Sequence, residues 1–179
     1  MNNKTTKWIA VTAMGVALVV VAQFLGSRIP SIATIFGPFS VQQLITGTLV
    51  NCILLVFTAR AGIASGAVIG VLSSILAALF GISQMVVTPM VAVGNALLCI
   101  IYGLLARRPS WHIPAVLLGA VVKCAFLWLT VPMVLAVAGL PEKQTAMLSI
   151  MFSWPQGVTA LCGGLLSWPI IPRLKKAEQ

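Results

Sequence analysis

Apolar runs long enough to cross a lipid bilayer recur along nearly the whole of this chain, and what separates them is short, with charges that are mostly basic. A helical span needs about 20 apolar residues to cross a hydrocarbon core of roughly 30 Å. Such runs cover about residues 8–25, 41–57, 61–80, 89–106, 113–138 and 148–171. With 60% of its residues apolar and 7% charged, where soluble domains carry about a quarter charged residues, the chain lacks the charges to build a water-facing surface. The reading is an all-α, polytopic integral membrane protein in which residues 1–179 form a single transmembrane domain of six helices.

The punctuation between the runs agrees. The first run follows the polar head 1–7 and is longer than the apolar core of about 7–15 residues found in a cleaved signal peptide, so it is read as a retained span. Pro30, Gly37 and Pro38 make residues 26–40 a loop. Spans two and three have almost no linker between them, at Arg60, which makes them antiparallel neighbours. Span four stops at Arg107 and Arg108, and Pro141 lies in a polar turn after span five. Pro155 leaves two alternatives for the last segment: a helix kinked at Trp154, or one that starts there.

Charge sets the expected orientation. With six spans and both termini inside, Lys4, Lys7, Arg60, Arg107, Arg108, Arg173, Lys175 and Lys176 are cytoplasmic, against Arg28 and Lys143 outside. Cytoplasmic loops carry the excess of Lys and Arg, and the reverse topology inverts that bias. The net charge of +9 is therefore mainly a topological signal and a match to anionic headgroups. Nucleic acid is a poor partner, because the basic residues sit in short turns without a basic face or an aromatic platform.

Several chemistries are excluded by residue type. Cys52, Cys99, Cys124 and Cys162 fall in four different spans with no CxxC spacing and read as small packing residues. His112 is the sole histidine, and Glu142 and Glu178 are the sole acids, all outside the spans, so no metal site is expected. Nucleophile-and-base pairs and paired carboxylates are missing, GxxxxGK[ST] is absent, and no intramembrane carboxylate exists to carry protons. No enzyme activity and no cofactor are expected. His112, beside Trp111 at a cytoplasmic turn, is read as an interfacial anchor.

What remains is packing and binding. Gly62, Gly66, Gly70, Ser74 and Ala78 recur every four residues in span three and make a ridge for close helix approach, inside the protein or against a partner. Ala13 and Ala17, with Ala10 near the same face, form a second small-residue pair in span one. Lys123 lies about ten residues into span five, ~15 Å deep and close to the midplane. Either it snorkels or is held by carbonyls and water, or it is the counter-ion for an anionic ligand. Gln42, Gln43, Gln84, Asn95, Trp154 and Gln156 gather at similar depth in the outer half, where a shared wet pocket would account for several of them. Asn51, deeper in span two, is read as a helix–helix hydrogen bond.

The basic N-terminus, the Ala13-x-x-x-Ala17 pair, the proline-containing outer loop and the turn from Arg60 through Gly62 to Gly66 together resemble the substrate-binding S component of energy-coupling factor (ECF) transporters. The resemblance covers essentially the whole chain. It implies a protein of the bacterial cell membrane that captures a vitamin or related micronutrient from outside, under a closing first outer loop. It also implies a transmembrane coupling subunit, docked on Ala13 and Ala17, with two ATPase subunits, and a binding protein that topples to release its cargo. Ligand residues in that family vary with the substrate, so the substrate-binding candidates are those of the residue-level reading: Lys123, Gln43, Asn95, Gln156, Trp154 and Gln84. Lys123 favours a carboxylate-bearing substrate such as pantothenate, niacin or a folate-like compound. The alternatives are a stand-alone small-solute carrier or channel, and a non-transport membrane scaffold.

Overall fold

The computed structural model describes residues 3–29, 34–36 and 39–176. It is built almost entirely of helix: α1 (Asn3–Ser27), α2 (Val41–Ala61), α3 (Ile63–Leu79), α4 (Thr88–Leu105), α5 (His112–Val137), α6 (Glu142–Met151) and α7 (Trp154–Lys176). By length and composition α1, α2, α4 and α5 can each cross a membrane. Helix α3 is apolar but shorter, at 17 residues. The loop after α1 also carries a two-stranded antiparallel hairpin, β1 (Thr34–Phe36) with β2 (Phe39–Ser40), which the all-helical reading did not anticipate.

Local chemistry sets the helix ends. Ser40 caps α2, its Oγ accepting the backbone N–H of Gln43 at 3.2 Å. Gly62 closes α2 and opens α3 at φ +94°, a left-handed backbone that residues with a Cβ rarely adopt, so two helices join through a single residue. The last segment divides in two. Chain direction changes at Phe152 and Ser153, and α7 begins at Trp154 with Pro155 in its first turn, where a missing N–H breaks no helical bond. The helix therefore starts at Trp154 and is not kinked there, and residues 148–151, expected in the sixth span, belong to the separate short helix α6.

The long helices pack in the cyclic order α1, α2, α7, α5, α4, α3 and back to α1, with α2 also touching α3 and α4. Small residues bring them together. Gly70 faces Asn95, Gly66 faces Thr58, and Ser74 is buried, so most of the span-three ridge packs within the protein, while Gly62 itself is exposed at the turn. Gly47 against Thr159 and Gly163 against Thr48 and Asn51 set α7 parallel to α2, and a buried Thr12–Ser65 hydrogen bond of 2.8 Å ties α1 to α3. This alternation gathers Lys4, Lys7, Arg60, Arg107, Arg108 and Arg173 at one end of the bundle and leaves Arg28 and Lys143 at the other.

Several polar side chains are buried beside the apolar core, while large apolar ones cover the surface. Thr12, Asn51, Ser65, Ser73, Asn95, Lys123, Thr159 and Ser167 are buried, whereas Leu79, Phe80, Trp128, Leu129, Met133 and Val137 face outward, Val137 being 90% exposed. An apolar surface on that scale is stable against hydrocarbon and not against water. Apolar packing is solid at the basic end, where Leu55, Leu98, Tyr102, Val116 and Ile171 meet.

The closest approach of a glycine to a neighbouring helix's backbone gives a test. A Cβ on Gly163 falls 2.7 Å from the Thr48 carbonyl oxygen and 2.8 Å from the Cys52 nitrogen, both backbone atoms of α2. Gly163→Ala should destabilise the protein by about 1–3 kcal/mol in denaturation experiments in detergent micelles. Gly94→Ala, whose added methyl falls at an ordinary contact distance of 3.4–3.5 Å from the Leu127 side chain, should cost less. Equal midpoints for the two variants would contradict this packing.

Candidate functional site

Three turns into α5, the Lys123 side chain points into the bundle and is 1% exposed. An ammonium removed from water must recover its hydration from protein dipoles. Here Nζ donates to Asn51 Oδ1 at 2.8 Å and to Asn95 Oδ1 at 2.7 Å. Each amide is held in turn. Asn51 Nδ2 donates to the Gly47 carbonyl at 2.8 Å and to Thr159 Oγ1 at 3.3 Å, and Asn95 Nδ2 donates to Ser74 Oγ at 3.1 Å. Ser74 Oγ then donates to the Gly70 carbonyl at 2.7 Å, closing the network on backbone. The lysine neither snorkels nor relies on backbone carbonyls: side-chain amides from α2 and α4 hold it.

Above this group, toward the end away from the basic cluster, lies a cavity of about 790 Å³. Protein pockets for small molecules typically span about 300–1,000 Å³. Lys123, Asn51 and Asn95 form its floor, with Val50, Ala77 and Val91 around them. Toward the mouth the lining turns to amides, with Gln23 from α1, Gln42 and Gln43 from α2, Gln84 from the α3–α4 turn, Gln144 from α6 and Gln156 from α7. Met85, Met147, Met151 and Phe152 supply the apolar rim. Helix α6 roofs one side, fixed to α2 where Gln43 Nε2 donates to the Met151 carbonyl at 3.1 Å.

Of the six residues expected to bind substrate, Lys123, Gln43, Asn95, Gln156 and Gln84 line this one cavity. Trp154 does not. It opens α7 and is 44% exposed. Asn51 makes the interhelical bond expected of it and is also part of the floor, a role its sequence position concealed. Gln23 was likewise missed, because a lone glutamine near the end of α1 reads as a terminal polar residue.

His112 requires a correction. Rather than anchoring at an interface it is buried, with Nδ1 2.9 Å from the Tyr102 hydroxyl, Nε2 3.0 Å from the Gly164 carbonyl, and its ring stacked on Trp168. It pins α4, α5 and α7 together at the basic end. The alanines of span one behave differently. Ala10, Ala13 and Ala17 are exposed with Met14 and Leu18, on the face of α1 opposite the buried Thr12, Gly15 and Val19. Cys52 and Cys99 are buried and free, and among the described residues no group of three or more His, Cys, Asp or Glu side chains comes together as a metal site.

No family model, curated protein or solved structure matches this chain.

The lysine network is open to a double-mutant cycle. Asn51→Leu removes one acceptor from a buried ammonium, whereas in a Lys123→Met background the same change removes a partner no longer needed. Asn51→Leu should therefore destabilise the wild-type protein by about 1.5–3 kcal/mol more than it does the Lys123→Met variant, the range of hydrogen bonds to charged groups. Additive effects in micellar denaturation would argue against the contact.

Proposed function

We propose that this protein is the substrate-binding S component of an ECF-type importer. In this reading it crosses the membrane six times with both termini inside. It captures a water-soluble, carboxylate-bearing vitamin or related micronutrient from outside and delivers it through a transmembrane coupling subunit driven by two ATPases. The observation that carries the reading is the asymmetry of the bundle: a polar cavity with a buried cation at one end, and packed apolar layers under a basic rim at the other.

Positive residues favour the cytoplasmic side, which turns the cavity mouth outward. Helix α3, with 17 residues, reaches about 26 Å, and α7, with 23, reaches about 34 Å, so both have the length to complete the six spans. Small outward-facing residues on a membrane helix let another helix approach closely, and the Ala10, Ala13 and Ala17 face of α1 has that character. Any ATP dependence of a chain without a P-loop comes from a partner, and in this reading the partner docks on this face.

Two measurements test the reading. Thermal-shift screening of the detergent-purified protein against a panel of water-soluble vitamins should find a stabilising compound, since a ligand at 100 times its Kd adds about 2.7 kcal/mol. Replacing Ala13 and Ala17 together with Trp should abolish uptake in cells carrying the coupling subunits while ligand binding by the purified protein persists. Uptake unaffected by the double substitution would remove the docking role.

A further inference from the structure

We propose that the cavity is built for a small monoanion of the hydroxy- or amido-carboxylate class, its carboxylate received jointly by Lys123 Nζ and Asn95 Nδ2 and its own O–H or N–H groups received by Gln23 and Gln43. The inference rests on the reading of the protein as a solute-binding subunit and adds which chemical groups the solute carries and where they sit.

Donor accounting gives the deep end. An ammonium carries three N–H groups and a primary amide two. Lys123 spends two, on Asn51 Oδ1 and Asn95 Oδ1. Asn51 spends both of its own, on the Gly47 carbonyl and Thr159 Oγ1. Asn95 spends one, on Ser74 Oγ. Among the described residues this leaves one N–H on Lys123 and one on Asn95, on side chains joined by the 2.7 Å Nζ–Oδ1 bond at the floor of the same cavity. A carboxylate presents two acceptor oxygens and one negative charge, which matches two neighbouring donors of which one is cationic. Asn51, with its donors consumed, is a positioning residue that acts through Lys123.

Acceptor accounting gives the mouth. Gln43 commits its Nε2 to the Met151 carbonyl, which leaves its Oε1 buried without a partner, and Gln23 Oε1 is buried without a partner as well. Buried acceptors of this kind are costly until a donor arrives. Both side chains line the cavity, from α1 and α2. The two ends therefore ask for opposite things, an anionic acceptor on the floor and neutral donors above it.

Charge limits the class further. Among the described residues no carboxylate lines the cavity and Lys123 is its sole cation, so one negative charge is neutralised and a second is left bare. A cationic ligand meets an ammonium at the floor, and among the described residues Phe152 is the single aromatic ring in the lining, too few for a cation–π cage.

The protein in detergent, probed by thermal shift and equilibrium binding, tests the assignment with four matched sets of compounds. These are small hydroxy- or amido-monocarboxylates, the primary amides of the same molecules, size-matched amines, and size-matched dicarboxylates as dianions. The expected result is stabilisation by one or more monocarboxylates, with the corresponding amide bound at least tenfold more weakly. Asn51→Asp retains an oxygen for Lys123 but places a negative charge beside it, so carboxylate affinity should fall at least tenfold and the preference over the amide should vanish. The wild-type carboxylate-to-amide ratio needs no variant and decides the case even where Asn51→Asp does not fold. Stronger binding of an amide, an amine or a dianion than of every monocarboxylate overturns this inference and leaves solute binding intact. No shift with these sets or with the vitamin panel overturns both.

Discussion

The solvation of one ammonium group organises the interior of this protein. Lys123 sits near mid-height of a bundle whose outer surface is hydrocarbon, and a charge at that depth costs at least about 2.5–3.5 kcal/mol unless dipoles surround it. Two asparagine carbonyl oxygens supply those dipoles, and each asparagine is itself oriented by a hydroxyl. The resulting chain runs from Ser74 through Asn95, Lys123 and Asn51 to Thr159, and so links α3, α4, α5, α2 and α7. Polar contacts that cross helices specify register in an environment where apolar packing alone discriminates weakly, because lipid tails are as apolar as the side chains they replace.

Around that chain the bundle is solid at one end and hollow at the other. Close glycine contacts and the buried His112 clamp knit α2, α4, α5 and α7 on the basic side. On the far side the helices diverge enough to leave a cavity roofed in part by α6, and the amides that line it come from separate segments of the chain. Asn51 and Asn95 hold the lysine's head group where the packed end of the bundle meets the polar void. Gln23 and Gln43 each carry a buried side-chain oxygen without a protein partner and line the same void.

Much of the architecture was legible beforehand. Residue runs near the expected spans became α1 to α5, since hydrophobic length is a local property that survives any packing arrangement. The division of residues 142–176 into α6 and α7 was less so, because Pro155 fits both a kink and a first helical turn, and the choice depends on what α6 packs against. The hairpin in the first loop was not legible, its strands being three and two residues long. His112 was misread for a related reason: a histidine next to a tryptophan at a helix start has the composition of an interface, and only the approach of Tyr102 and Gly164 buries it.

The sequence by itself determined that the chain is helical, that its surface suits hydrocarbon, and that a lysine without a carboxylate partner lies deep in one helix. Each follows from composition and period along a single segment. Tertiary structure decided which helices become neighbours, that Asn51 and Asn95 are the groups that solvate Lys123, that Trp154 stands outside the cavity, and that Gln23 stands within it. Those outcomes depend on the rotation of each helix about its own axis, which is set by contacts between residues as far apart as Asn51 and Thr159. No local pattern encodes such a rotation, because one residue's step turns a helix by about 100° and only the fit of small residues against a neighbouring backbone selects the angle.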